Sequence, residues 1–258
     1  MRKNLLTAIA LTAATLVSAQ FRPNSDREWH RTEQDEKKFS FGYYLGSNLM
    51  SYKVSPKAQN NRVPDATSDD DGVNKYGLVY LQQENKPGFS VGLIGKLRIN
   101  DYIAIKTEPG VHFAQRTLLF TNNIQPAEDG EGLTGVRRTE VKSTYVDIPL
   151  LLNIQGDRWF NTRPYIQGGF GYTNNLQSNE DKEDDNGQGV FRTNTHNFNW
   201  QAELGIEIYF KRFKLTPSLK GMFFLNNEMV PDKPETIGYA NTINHLQTRA
   251  VVFSLKFE

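Results

Sequence analysis

Large apolar residues alternate with small or polar ones over about eight segments of this chain, and the connections between them run long, short, long, short, long, short, long. Period-two alternation marks a strand whose two faces meet different surroundings. A steady alternation of long and tight connections excludes most layered folds. It fits an antiparallel up-and-down wall that closes on itself, with tight turns at one end and longer loops at the other. The expectation is therefore an all-β protein: an eight-stranded antiparallel transmembrane β-barrel of the outer-membrane type.

The first segment, Lys38–Val54, sets Phe39, Phe41, Tyr43 and Leu45 against Ser40, Gly42, Tyr44 and Gly46. The second, Gly88–Ile99, sets Phe89, Val91, Leu93, Leu97 and Ile99 against Ser90, Gly92, Lys96 and Arg98. Tyr102–Thr117 is the third, and the fourth carries Val146, Ile148, Leu150, Leu152 and Ile154 on one parity. There Leu151 breaks the pattern, and Pro149, which lacks an N–H for the ladder, predicts a bulge. Pro164–Leu176 and Trp200–Phe210 are the fifth and sixth, Phe213–Asn226 and Leu246–Phe257 the last two. Short turns fall at Asn100-Asp101, Gln155–Arg163 and Lys211-Arg212. The long connections are Ser55–Pro87 (with Tyr76–Leu81 a candidate strand extension), Leu118–Glu140, Gln177–His196 and Asn227–His245.

This assignment gathers Phe39, Phe41, Tyr102, Tyr165, Phe210, Phe213 and Phe257 near the rim of the short turns. Phe89, Phe113, Tyr172, Trp200 and Phe223 gather near the other rim. Two aromatic belts are what membrane–water boundaries favour. A soluble β-sandwich also alternates, but its strands are commonly about 5–6 residues long, and these run to about a dozen.

The N-terminus agrees with export. Met1-Arg2-Lys3 is positive, Leu5–Val17 is uncharged, and Val17-Ser18-Ala19 offers small residues before Gln20. That reads as a signal peptide over 1–19; the apolar run is short for a spanning helix, which needs about 20 residues. Residues 20–37 are polar and aperiodic, as in a periplasmic tail, with Trp29 its one large apolar side chain. The barrel domain would then be 38–258. The sequence holds no cysteine, so it has neither a lipid-bearing thiol nor a disulfide. Net charge is +1, which gives no electrostatic case for nucleic acid. Mean hydropathy is −0.58, too polar for a helical membrane protein. A barrel tolerates that, because only alternate residues face lipid.

The inward parity collects Lys96, Arg98, Lys106, Glu108, Arg116, Asp147, Glu203, Glu207, Lys220 and Lys256. The interior of an eight-stranded barrel is about filled by side chains, so these predict a compensated ion-pair network, the alternative being an ion or proton path. The histidines, His30, His112, His196 and His245, have no ligand spacing. His196 and His245 would have to meet at the outer rim to serve a surface enzyme. Asp69-Asp70-Asp71-Gly72 lacks the alternation of a calcium loop, and Asp181, Glu183 and Asp185 lack its glycine and bidentate glutamate. Gly168-Gly169-Phe170-Gly171 sits inside a strand and cradles no phosphate. The expectation is a non-enzyme with no catalytic, cofactor-binding or metal-binding residues and no cofactor.

Lys38-Phe-Ser-Phe-Gly-Tyr-Tyr-Leu-Gly, Tyr145-Val-Asp-Ile-Pro-Leu-Leu-Leu-Asn and Arg163-Pro-Tyr-Ile-Gln-Gly-Gly-Phe-Gly-Tyr resemble the small outer-membrane barrels of the Bacteroidota. With Phe39–Val54, Phe89–Leu118 and Asn199-Trp-Gln-Ala-Glu-Leu-Gly-Ile-Glu, the chain is most similar to the PorT/SprT family. That resemblance implies a non-enzymatic outer-membrane component of type IX protein secretion, the route that also exports adhesins in gliding species. Its partners would be other secretion components in the outer membrane or periplasm, together with membrane lipid. The alternative is a general small barrel (a structural protein, a narrow pore or an adhesin) acting through its outer loops. In either case both termini would be periplasmic.

Overall fold

A computed structural model describes residues 37–56, 62–64, 76–122, 136–180, 182, 191–230 and 243–258. The leader, the tail up to residue 36 and both acidic runs that invited a calcium reading lie outside the described residues. In chain order the strands are β1 (Phe39–Pro56), β2 (Arg62–Pro64), β3 (Tyr76–Arg98), β4 (Ile103–Thr107), β5 (Gly110–Asn122), β6 (Val136–Gln155), β7 (Thr162–Asn175), β8 (His196–Tyr209), β9 (Lys214–Phe224) and β10 (Ile243–Phe257).

Every ladder among them is antiparallel. The order β1-β10-β9-β8-β7-β6 continues through β4 and β5 to β3, which pairs back onto β1 and closes the ring. β4 and β5 make one stave, so the barrel has eight. Burial alternates residue by residue along β8 and along β10 from Leu246. The parity is the reverse of a soluble protein's: large apolar residues such as Phe41, Leu150, Ile166 and Phe170 face out, and polar ones face in. A soluble monomer rarely exposes apolar patches beyond a few hundred Å². A closed ring whose outward face is dominated by large apolar residues is built for lipid, which rules out the sandwich.

Two strands overrun their expected ends. β3 begins at Tyr76 and β6 at Val136, both inside segments expected as long connections. In register with β5, Tyr80 opposes Thr121 and Lys86 opposes Gln115; Thr121 in turn opposes Val136. Gln82 to Lys86 are exposed on both faces. With both faces of this stretch of β3 exposed, period-two contrast disappears although the ladder continues. These strands form a polar flange above the wall.

Pro149 makes no bulge. β6 pairs without a shift, Pro149 opposing Gly171 on one side. On the other side Thr107 opposes Leu150 and Gly110 opposes Asp147. Pro149 therefore faces the break between β4 and β5, where no ladder hydrogen bond is lost. Shifts occur instead at Lys86/Phe89 and at Ser55/Pro56. Leu151, the residue that broke the apolar parity, is simply an inward-facing core residue.

At the long-connection end β1 and β3 stop pairing after Leu49 and Pro87. Beyond that point the Gln83 side chain bridges them. Its Oε1 accepts from the Tyr52 N–H at 2.9 Å and its Nε2 donates to the Tyr52 carbonyl at 2.8 Å.

Both aromatic belts form. At the short-turn rim Tyr43 stacks on Phe257 at 5.2 Å and Phe210 on Phe213 at 4.9 Å; at the other, Trp200 stacks on Phe223 at 4.4 Å. Tyr165 does not join them. It is buried, and its ring occupies the space over Gly205, where an added Cβ would come within 2.8 Å of the ring. Glycine is required there because the ring packs directly against the backbone.

Candidate functional site: a filled lumen

The inward side chains stack in levels. Nearest the short turns, Lys214 Nζ lies 2.6 Å from Glu258 and 3.2 Å from Glu207, with Lys96 3.6 Å from Glu207. Lys106 sits 3.7 Å from both carboxylates and 4.8 Å over the Tyr165 ring. Gln155 and Tyr209 also donate to Glu207, each at 3.0 Å.

One level up, Lys220 and Lys256 alternate with Glu108 and Glu203. Lys220 is 2.6 Å from Glu108 and 3.5 Å from Glu203; Lys256 is 2.5 Å from Glu203 and also binds Glu108. The Tyr165 hydroxyl donates to Glu203 at 2.5 Å and Gln167 to Glu108 at 2.9 Å.

Asp147 then stands without a lysine. It accepts from Thr173 at 2.8 Å, Asn199 at 2.8 Å and Gln201 at 2.6 Å. Ser90 and His112 share this level, 2.8 Å apart, and Asn48 donates to the same serine. Serine, imidazole and carboxylate in one region invite a hydrolytic reading. Ser90 is 0 % exposed and its hydroxyl is already engaged on two sides.

Above these, Arg116 donates to Thr248 at 2.9 Å, Ser143 at 2.9 Å and Tyr145 at 2.7 Å, and its guanidinium lies 3.8 Å over the Tyr52 ring. Glu228, from the segment after β9, accepts from Thr248 at 2.5 Å and from Tyr145 at 3.4 Å. Burial lifts its carboxyl above the ordinary range, against the opposing pull of Arg116 and of the Thr248 hydrogen bond. Phe191 and Met229 then fold inward from the connections and pack with Tyr52, Leu118, Val141, Ile243 and Leu246. A bridge between Thr193 and Met229 ties these two segments together. The result is an apolar lid.

Lys106, Glu108, Arg116 and Lys256 are all 0 % exposed. Buried charges persist only when paired and hydrogen-bonded. Among the described residues five lysines, one arginine and six carboxylates interlock across these levels, so the interior is filled by compensated charge.

Of the expected inward set, Lys96, Lys106, Glu108, Arg116, Asp147, Glu203, Glu207, Lys220 and Lys256 meet in the lumen. Arg98 does not: it pairs at the rim with Asp101, three residues along the tight turn. Lys214 and Glu258 had the right parity but were not singled out. Glu228 lies outside any strand and gave no periodic signal. His196 contacts Tyr172 at 2.5 Å on β7–β8. His245 lies opposite Ser55 on β10–β1, with β9 between, so the two histidines are not brought together. His30 lies outside the described residues. Among the described residues no group of three or more His, Cys, Asp or Glu side chains could hold a metal ion.

A family model described as outer membrane protein beta-barrel domain matches residues 19–230. No curated protein matches at a significant level. Among solved structures, the outer membrane protein OprG from Pseudomonas aeruginosa is similar, with 13 % identity, TM-score 0.41, and coverage of 84 % of this chain and 94 % of that one. Neisserial surface protein A is similar with 11 % identity, TM-score 0.37, and coverage of 85 % and 98 %.

Proposed function

Because the chain belongs to the outer membrane beta-barrel domain family, we propose that it works in the outer membrane as a sealed, non-enzymatic wall that holds other proteins. More specifically, it is a component of the type IX secretion machinery, with both termini in the periplasm and the four long connections outside. The observation that carries the reading is the plugged lumen. A barrel whose interior is filled by paired charge and lidded by Phe191 and Met229 leaves the rims and the outer wall as its working surfaces. The resemblance of Phe39–Val54, Phe89–Leu118 and Asn199–Glu207 to PorT/SprT barrels supplies the system. Deleting the gene should strand proteins bearing C-terminal sorting domains in the periplasm, and normal secretion in the deletion strain would refute it.

A second reading is a general small barrel acting through its outer connections. The polar flange formed by β3, β5 and β6 favours it, because it presents an ordered sheet above the wall. Trimming residues 76–86 with their partners would then abolish surface binding while secretion continues.

A further inference from the structure

The outer wall is not uniformly filled. Gly168 opposes Ala202, and Ala202 opposes Gly221, so three adjacent strands carry minimal side chains in one row. This row floors an open, shallow groove that Leu152, Ile154 and Ile166 also line. Leu204 and Leu219 bound it toward the short turns, and Val251 closes one end. The stacked pair Trp200 and Phe223 stands one row toward the long connections.

Charge is placed beside it. Arg249 faces outward on the same strand as Val251, two residues and so about 7 Å further on. It opposes Phe223 and Ser51, level with the aromatic belt. Lys53, exposed on β1, is its diagonal neighbour: Ser51 opposes Arg249, and Lys53 opposes Gln247. Neither cation has an ion-pair partner among the described residues, and the outward face of β9, β10 and β1 at this end carries no carboxylate. The flange differs, since there Lys86 is met by Glu140. A guanidinium at a headgroup boundary matches phosphate oxygens bidentately.

We propose that this face binds one molecule of the phosphorylated, multiply acylated glycolipid of the outer leaflet, lipid A. One acyl chain lies in the groove over Gly168, Ala202 and Gly221, and a phosphate sits on Arg249 and Lys53. Assignment to the outer leaflet rests on the orientation under Proposed function; the binding chemistry does not.

The test is native mass spectrometry of the full chain folded in detergent micelles. The probes are bis-phosphorylated lipid A, the same lipid with its phosphates removed, and phosphatidylglycerol. Folding of each variant is checked by heat-modifiable gel migration. A 1:1 complex with bis-phosphorylated lipid A, at least about tenfold tighter than with the dephosphorylated lipid, is expected. Arg249→Gln with Lys53→Gln should erase that preference. Ala202→Phe should weaken both glycolipids by filling the groove, with Ala202→Leu as the smaller alternative. Equal binding of the dephosphorylated lipid, unchanged binding by the charge or groove variants, or equally tight phosphatidylglycerol would overturn the proposal. A secretion defect in the deletion strain is a separate readout, so either idea can fail alone.

Discussion

Lys256→Met tests whether the lumen is dry. Its ammonium lies 2.5 Å from Glu203 and also binds Glu108, and all three groups are at most 1 % exposed. At an effective dielectric near 20, one such contact is worth about 6–7 kcal/mol before desolvation; in water it is worth under about 2. Desolvation of the ion offsets several kcal/mol. Methionine is one atom shorter, keeps the unbranched stem and removes the charge, leaving two buried carboxylates to share Lys220. Losing one partner of a buried pair costs about 3–5 kcal/mol, or two to nearly four decades in the unfolding equilibrium. The assay is urea unfolding from lipid vesicles, followed by emission from Trp159 and Trp200. Adding Glu203→Gln to the same chain removes the surplus carboxylate and should recover at least about 1.5 kcal/mol. A loss below about 1 kcal/mol that vanishes in high salt is the behaviour of a hydrated pair. That result would refute the sealed lumen.

Three further outcomes follow from the same structure. Glu228 holds its proton to higher pH when folded than when unfolded, so stability should fall as pH rises from the unfolded glutamate value of about 4.3 through the folded one; Glu228→Gln should flatten that slope in unfolding curves taken across this range. Gly205→Leu drives a side chain into the Tyr165 ring and should cost about 1–3 kcal/mol, read as a lower urea midpoint. Leu204→Arg, on the exposed side of β8, should cost about 2–4 kcal/mol if that residue lies near the bilayer midplane; an unchanged midpoint would place β8 outside the hydrocarbon.

The wall was legible in the sequence because lipid and lumen impose opposite demands on neighbouring residues. β8 shows this most clearly, with Trp200, Ala202, Leu204 and Ile206 outward and Gln201, Glu203, Gly205 and Glu207 inward. Parity tells which way a side chain points, not the height at which it meets a partner. Lys256 and Glu108 lie 148 residues apart, and their meeting is set by closure of the ring, which no local pattern encodes. The extension of β3 was legible at Tyr76–Leu81, but Gln82–Lys86 gave no signal because exposure on both faces removes the contrast on which parity depends. Tyr165 was placed in a belt by its kind and its place in the chain, although its parity pointed inward. Glu228, Phe191 and Met229 come from connections, where no period exists to reveal that a segment turns back into the mouth.

The glutamine bridge between β1 and β3 gives the upper hoop of the barrel a zip with a single tooth. Below it the seam is held by a main-chain ladder that parts only when several bonds break together. Here two side-chain bonds from Gln83 to Tyr52 span the gap, and rotating one amide away forfeits about 2 kcal/mol. A force applied to the flange spreads the mouth between these two strands, while the charged interior below Leu49 and Pro87 stays clenched.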